Sequence, residues 1–137
     1  MENQRPLDLA PALAPRPTMA AHELGRWGET HACNYWRSLG ATVLAQNWRC
    51  RRGEIDLVVL DEGELVACEV KTRRSHQAGT PFEAITPQKL CQLSTLFSIW
   101  RSANPLWPRA KSWRIDAVGI TVWPDRMQVE HLRRVGL

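Results

Sequence analysis

Residues 53–74 read GEIDLVVLDEGELVACEVKTRR, and the predicted fold is built outward from this stretch. It contains two apolar runs separated by an acidic turn with a glycine, a pattern typical of a β-hairpin. If Glu62 and Gly63 form a two-residue loop, Asp61 pairs with Glu64 across the turn. The turn therefore predicts the register of the whole hairpin.

This register brings charged residues together at the open end of the hairpin. Counting back along both strands places Asp56 opposite Glu69. Two residues further out, Glu54 lies opposite Lys71. Directly opposed residues project from the same face of a sheet, as do residues two apart on one strand. Three carboxylates and one ammonium group therefore converge on one face of an otherwise apolar hairpin.

The opposed carboxylates of this hairpin repel each other unless a cation neutralises them. Mg²⁺ takes oxygen ligands, commonly one or two carboxylates together with water and phosphate. Asp56 and Glu69 supply that set, and Lys71 then lies where the scissile phosphate or the attacking water sits. The alternative interpretation is a solvated strand face on which Glu69 and Lys71 are exposed charges.

The chain resembles the YraN-like uncharacterised family in three segments, GRWGE at 25–29, GEIDLV at 53–58 and EVKTR at 69–73. Members of that family are similar to Holliday-junction resolvases of the restriction-endonuclease-like superfamily, whose motif is PD-(D/E)xK. The resemblance covers roughly residues 21–124. It implies a restriction-endonuclease-like domain that hydrolyses DNA phosphodiesters with Mg²⁺ or Mn²⁺. Junction-cutting members of the superfamily act as dimers, so the resemblance is also compatible with a homodimer.

The resemblance also implies roles for individual residues. Asp56, Glu69 and the carbonyl of Val70 correspond to the metal ligands, and Lys71 corresponds to the catalytic lysine. Glu29, in the first predicted helix, corresponds to an additional ligand or water-positioning group at the edge of the metal site. A solvated helix carboxylate is the alternative for Glu29.

The remaining pattern predicts one α/β domain over residues 20–137, with a mixed sheet of four to five strands flanked by helices. The order is helix, three strands, helix, then one or two strands. The predicted helices are residues 20–39, with apolar residues near a 3.6 period, and a second that starts at Thr86-Pro87 and stops at Asn104. The further strands are residues 41–48 at a sheet edge, 113–123 with a bend at Gly119, and 127–132. Residues 1–19 contain four prolines and are predicted to be a disordered arm.

Candidate nucleic-acid-binding residues surround the predicted site. They are Arg49, Arg51 and Arg52 before the hairpin, Arg73 and Arg74 in a predicted mobile loop from residue 72, and Gln88 and Lys89 in the first turn of the second helix. Loop arginines and helix N-termini both bind phosphate. A solvated basic loop is the alternative for Arg49, Arg51 and Arg52, and an ordinary exposed helix lysine is the alternative for Lys89. Trp107, in a basic loop, is a candidate for stacking on an unpaired base.

Composition sets broad bounds on function. A chain of 137 residues with a net charge of +4 fits one domain with a mild preference for polyanions. The four cysteines include no Cys-x-x-Cys pair and read as reduced thiols, and the dispersed histidines argue against zinc. No apolar run approaches the roughly 20 residues of a membrane helix, and the start does not read as a secretory leader. The expectation is a soluble cytoplasmic protein with no membrane partner.

These features together predict a metal-dependent nuclease acting on DNA, with branched or single-stranded DNA as candidate substrates. One alternative is a non-catalytic nucleic-acid-binding module that retains the nuclease fold. Another is a purely structural protein with solvated charges. The carboxylates of Glu29, Asp56 and Glu69 favour the nuclease, because negative charge near the centre of a pure phosphate-binding surface would weaken it.

Overall fold

The computed structural model describes residues 2–9, 19–76, 79–104, 110 and 112–136. These residues form two α-helices and a six-stranded mixed sheet. In chain order the elements are β1 (Glu2–Leu9), α1 (Ala21–Ser38), β2 (Thr42–Cys50), β3 (Gly53–Asp61), β4 (Glu64–Arg74), α2 (Pro87–Ala103), β5 (Ser112–Trp123) and β6 (Arg126–Arg133). A single 3-10 turn, Pro81–Ala84, precedes α2. The predicted α/β class and the order helix, three strands, helix, two strands are confirmed, and β1 is an addition.

The strands lie in the order β1-β6-β5-β4-β3-β2, so β2 is an edge strand, as predicted. Only β4 and β5 pair in parallel among the described strands, and the connection between them contains α2, as a parallel pair requires. The helices cover opposite faces of the sheet. On the α1 face, Trp36 packs with residues such as Cys68, whereas on the α2 face Phe97 packs with residues such as Ala67.

The β3–β4 hairpin has the predicted register as far as Leu57 and Cys68, and the predicted opposition of Asp56 with Glu69 and of Glu54 with Lys71 falls beyond the paired residues. Asp61 pairs with Glu64, and the ladder continues to Leu57 and Cys68. Glu62 and Gly63 have φ angles of 51° and 82°. Positive φ at both central positions is the condition for a type I′ turn, whose twist matches that of the flanking strands.

The N-terminal segment departs from the prediction. Disorder is the expectation for residues 1–19, but Glu2–Leu9 form a strand that pairs antiparallel with β6. The strand satisfies backbone groups of β6 that would otherwise form an open edge. Pro6 lies in the irregularity between Gln4 and Leu7, where the missing N–H of proline is tolerated. Residues 10–18 lie outside the described part of the chain.

Two local predictions around β4 and β5 are also wrong. Residues 72–74, predicted to start a mobile loop, belong to β4, which extends to Arg74 in register with β5, and residues 77 and 78 of the predicted loop lie outside the described residues. The bend predicted at Gly119 does not interrupt β5, because Gly119 pairs with Lys71 on one side and Glu130 on the other without a register shift. Gly119 instead permits close packing, since a Cβ at this position would lie 2.9 Å from the Phe82 ring.

The start of α2 follows its sequence signal. Thr86 is the N-cap, and its Oγ1 accepts a hydrogen bond from the Lys89 N–H at 3.1 Å. Pro87 occupies the first helical turn, where its missing N–H costs nothing. Neither helix in the described part of the chain has the length and apolarity to cross a membrane.

Candidate metal centre

Backbone pairing between β3 and β4 ends before the strands do, and beyond that point a side chain forms the next hydrogen bond between them. The last paired residues are Leu57 and Cys68. Beyond them, Oδ2 of Asp56 accepts a hydrogen bond from the Val70 N–H at 2.8 Å. A carboxylate thus satisfies a buried amide that a strand carbonyl would otherwise pair. This contact holds Asp56 beside β4 at the mouth of a cavity.

The cavity has a volume of about 340 Å³ and is formed by α1, β3, β4 and the first turn of α2. Its lining residues are Ala21, Gly25, Glu29, Glu54, Asp56, Glu69, Val70, Lys71, Thr72 and Lys89. All four candidate catalytic residues are in this set, as are Val70 and Lys89. The tertiary structure therefore brings to one place residues that are up to 60 positions apart in the chain.

Three carboxylates in this cavity form a close cluster. Glu29, Glu54 and Asp56 each place one oxygen within 4.8 Å of the others. Glu69 is outside this cluster, and its Oε1 lies 3.8 Å from Nζ of Lys89. The pair predicted as metal ligands, Asp56 with Glu69, is therefore accompanied by two further carboxylates. Of these, Glu54 was placed near the site by register but not predicted as a ligand.

Burial and nearby negative charge raise the pKa values of Glu29, Asp56 and Glu69. The pKa of Glu29 rises to about 7, first through burial and then through the nearby Asp56 charge. The pKa of Glu69 also rises to about 7 for the same two reasons. Burial raises the pKa of Asp56 as well, against the opposing effect of the Val70 N–H bond. The surrounding protein thus supplies too little positive charge to keep all the carboxylates ionised.

These residues fit a hard divalent cation. Oε2 of Glu29 is buried and accepts no hydrogen bond within the described part of the chain. The donors around it are carboxylate oxygens, which suit Mg²⁺ and Mn²⁺. No histidine or cysteine is present among the described lining residues, and those are the ligands that zinc prefers.

Two lysines from different elements reach the same cavity. Lys71 follows Val70 on β4, and Lys89 lies in the first turn of α2. The N-terminus of a helix carries partial positive charge, which adds to that of Lys89. The cavity therefore combines oxygen donors for a cation with ammonium groups for an anion.

The predicted nucleic-acid-binding arginines are separated into two groups. Arg49, Arg51 and Arg52 lie at the turn between β2 and β3, where Arg51 and Arg52 are exposed. Nε of Arg49 is 2.8 Å from Oε2 of Glu54, and both side chains are solvent-accessible. An ion pair in such a position contributes little stability.

The second group lies at the far end of β4 and at the start of α2. Arg73 and Arg74 are half-buried and are the last two residues of β4, two to three positions beyond Lys71. Gln88 is exposed beside Lys89. Trp107, the candidate for base stacking, lies outside the described residues.

A buried charge network that starts beside the turn of the hairpin and continues to β5 and β6 was not predicted from the sequence. Arg114 is 1% exposed and donates hydrogen bonds to three carboxylates. These belong to Asp61 at 2.8 Å, Asp116 at 3.0 Å, and Glu64. Asp116 also contacts His131, whose Nε2 is 2.7 Å from Oδ2. The only available signal was an arginine and an aspartate two apart in an apolar strand.

His131 extends this network to α1. Its Nδ1 lies 2.8 Å from the Tyr35 hydroxyl oxygen. Each charged member has a partner of opposite charge or a hydrogen bond. The network therefore stabilises the packing of α1 on the sheet. It extends from Asp61 and Glu64, beside the Glu62-Gly63 turn, to Asp116 on β5 and His131 on β6.

Comparison with known proteins identifies relatives over most of the chain. The family model for "Uncharacterised protein family UPF0102" matches residues 28–120. A UPF0102 protein of Kineococcus radiotolerans is 48% identical over 120 residues, covering 85% of this chain and 95% of that protein. One from Arthrobacter sp. is 45% identical over 114 residues, covering 82% and 95%. Another, from Herpetosiphon aurantiacus, is 38% identical over 116 residues, covering 83% and 94%.

Proposed function

This chain belongs to the uncharacterised protein family UPF0102, and we propose that it is a nuclease that hydrolyses DNA phosphodiester bonds with Mg²⁺ or Mn²⁺. One observation carries the proposal. The carboxylates of Glu29, Glu54 and Asp56 converge beside Lys71 and a second lysine in one cavity. Metal-assisted phosphodiester hydrolysis uses this combination, because the carboxylates hold the cation and the ammonium groups hold the phosphate next to it.

The acidic cluster would hold the cation, with Glu69 next to it. Mg²⁺ bound there would lower the pKa of a water molecule and offset the negative charge that builds on the phosphate. Burial first, and then repulsion between neighbouring carboxylates, raises the pKa values of Glu29, Asp56 and Glu69, and a bound cation would favour their ionised forms.

The lysines have separate roles in this proposal. Lys71 binds a non-bridging phosphate oxygen and orients the attacking water, since its ammonium group offers three donors in the cavity. The Lys89 ammonium group, in the first turn of α2, binds phosphate from the other side. The Asp56–Val70 hydrogen bond keeps the central carboxylate in place.

A binding module without turnover is the competing function. The exposed Arg51 and Arg52 would support it, because an arginine-rich rim is sufficient for non-specific DNA binding. The buried carboxylates count against it. Negative charge at the centre of such a surface repels phosphate unless a cation is bound.

The test combines cation binding with DNA cleavage. Asp56→Asn removes the charge but keeps an oxygen that can accept the Val70 hydrogen bond. Glu62→Gln is the matched control, because Glu62 is an exposed carboxylate at the turn of the same hairpin. Calorimetric titration with Mg²⁺ or Mn²⁺ measures cation binding, and a labelled panel of duplex, single-stranded, flap and four-way-junction DNA measures cleavage.

We expect the wild type and Glu62→Gln to bind the cation and cut at least one DNA. Asp56→Asn should lose both properties, whereas Lys71→Ala should bind the cation without cutting. DNA that is bound by the wild type but never cut would favour the binding module. Equal cation binding by the wild type and Asp56→Asn would contradict the proposed site.

A further inference from the structure

An aromatic–arginine stack lies at the tip of the β5–β6 hairpin. Trp123, the last residue of β5, pairs with Arg126, the first residue of β6. The Arg126 guanidinium carbon lies 4.2 Å from the centre of the Trp123 ring system. Both residues are half-buried, so part of the stack faces solvent. A guanidinium group on an indole forms a flat, cationic surface of the kind on which unpaired bases stack.

This stack is on the same face of the sheet as Lys71. Ala117 is buried in the core on the α2 face, and alternation along β5 places Trp123 on that face as well. The parallel register pairs Lys71 with Gly119, four residues before Trp123. At about 3.3 Å per residue, the stack is roughly 13 Å along the sheet from Lys71. Arg73 lies on the same face between them.

We propose that the Trp123–Arg126 stack binds an unpaired base of the substrate, so that the site acts on DNA with a single-stranded segment beside the bond that is cut. This inference rests on the proposed function for the position of that bond. The distance of roughly 13 Å corresponds to about four stacked nucleotides at 3.4 Å each. Arg73 is placed to contact the intervening backbone. A paired base is stacked on both sides within its duplex, so only an unpaired base has a face available for the stack.

The other end of β5 provides a matched control. Trp113 is 57% exposed, and the Arg101 guanidinium carbon lies 4.4 Å from its ring centre. It has the same chemistry as the Trp123–Arg126 stack but pairs with Leu65, at the opposite end of β4 from Lys71. If any solvent-accessible tryptophan with a stacked arginine were sufficient, Trp113 would contribute equally.

The experiment is fluorescence anisotropy with three labelled DNAs: a single strand, a blunt duplex and a duplex with a single-stranded tail. Ca²⁺ replaces Mg²⁺ so that binding is measured without cleavage. We expect Trp123→Ala to weaken binding of the single strand and the tailed duplex about tenfold. Binding of the blunt duplex should change little. Trp123→Phe should retain most of the affinity, and Trp113→Ala should match the wild type.

Equal weakening on all three DNAs, or the same loss in Trp113→Ala, would overturn the inference. Cleavage of the same DNAs with Mg²⁺ separates its failure from that of the proposed function. If tailed DNA is cut and Trp123→Ala binds it normally, only the present inference fails. If binding depends on Trp123 but nothing is cut, the binding surface stands and the nuclease function fails. If no DNA binds, both fail.

Discussion

Gly28 of α1 lies directly against Thr72 of β4: a Cβ at position 28 would be 1.8 Å from the Thr72 Oγ1. Only glycine permits the helix to approach the strand this closely. The next residue is Glu29, whose carboxylate belongs to the acidic cluster. The close approach of α1 to β4 is therefore what brings a helix carboxylate to a site built on strands.

Gly28→Ala is expected to lower both stability and cation affinity. The added methyl group has to displace Thr72 or push α1 outward, and overpacking of this kind costs about 1–3 kcal/mol. Chemical denaturation would measure the free energy of unfolding, and calorimetry the affinity for Mn²⁺. Replacing Thr72 by Ala in the same background should recover part of the loss, because the nearest contacting atom is removed.

Gly25→Ala is the control on the same helix. A Cβ at Gly25 would meet nothing within 4 Å. Alanine in a helix interior is favoured over glycine by about 0.5–1 kcal/mol, so this variant should be more stable than the wild type. A loss of stability at Gly25 equal to that at Gly28 would contradict the close-approach explanation.

Glu29 makes the stability of the cation-free protein depend on pH. Its pKa is about 7 in the folded protein, against a usual value of 4.5. The folded state therefore binds more protons than the unfolded state between these values, and the free energy of unfolding falls as the pH rises through this window. Glu29→Gln should gain stability relative to the wild type between about pH 5 and pH 8. Thermal denaturation with EDTA would test this, and a constant difference between the two proteins would contradict it.

Added Mg²⁺ should oppose the loss of stability that rising pH causes in the wild type. Protons and Mg²⁺ compete for the same carboxylates, so stabilisation by Mg²⁺ should be larger at pH 8 than at pH 5. A ligand at ten times its Kd stabilises by about 1.4 kcal/mol. The same titration on Asp56→Asn should show no stabilisation.

Arg114 is expected to be essential for stability but not for cation binding. Arg114→Met would leave three carboxylates, those of Asp61, Glu64 and Asp116, without their guanidinium partner. Removing one member of a buried ion pair costs about 3–5 kcal/mol. Arg134 also contacts Glu64, but its side chain is 43% exposed, so Arg134→Met should cost less than about 1 kcal/mol. Chemical denaturation measures the free energy of unfolding of both variants. Similar losses in the two would contradict the stabilising role assigned to the Arg114 network.

The two lysines of the cavity are expected to differ in their effects on DNA. Lys89→Gln should weaken binding to all DNAs and reduce the slope of log K against log salt by about 1, since one phosphate contact is lost. Lys71→Gln should lower the cleavage rate at least about 100-fold with a smaller effect on binding. Salt titrations by anisotropy and single-turnover cleavage measure the two effects. Exchanged outcomes would reverse the assigned roles.

Local chemistry explains why much of the fold was predictable. The Glu62-Gly63 turn requires positive φ at both positions, and that requirement sets the register Asp61 to Glu64 within a few residues. Thr86 likewise indicates the start of α2, because its hydroxyl accepts a hydrogen bond from the N–H of Lys89, three positions later. In each case the interacting atoms are close in sequence, so their pairing is readable without the fold.

The strand at Glu2–Leu9 was not predictable from local sequence. Its one proline, Pro6, correctly indicates a poor helix or central strand, but the segment needs only one partner at the sheet edge. That partner is β6, about 120 residues later. Composition cannot indicate that such an edge is available.

The sequence alone determined the β3–β4 hairpin, its register and the presence of Asp56, Glu69 and Lys71 at one end, because turn geometry and strand alternation are local properties. The tertiary structure was needed to show that the Glu29 carboxylate lies beside Asp56, since this depends on how closely α1 packs on β4. It likewise decided which charges are neutralised within the protein, by Arg114 at one end of the hairpin, and which remain available to a cation at the other. Burial and long-range partners set the energy of a charge, and these exist only once the chain has folded.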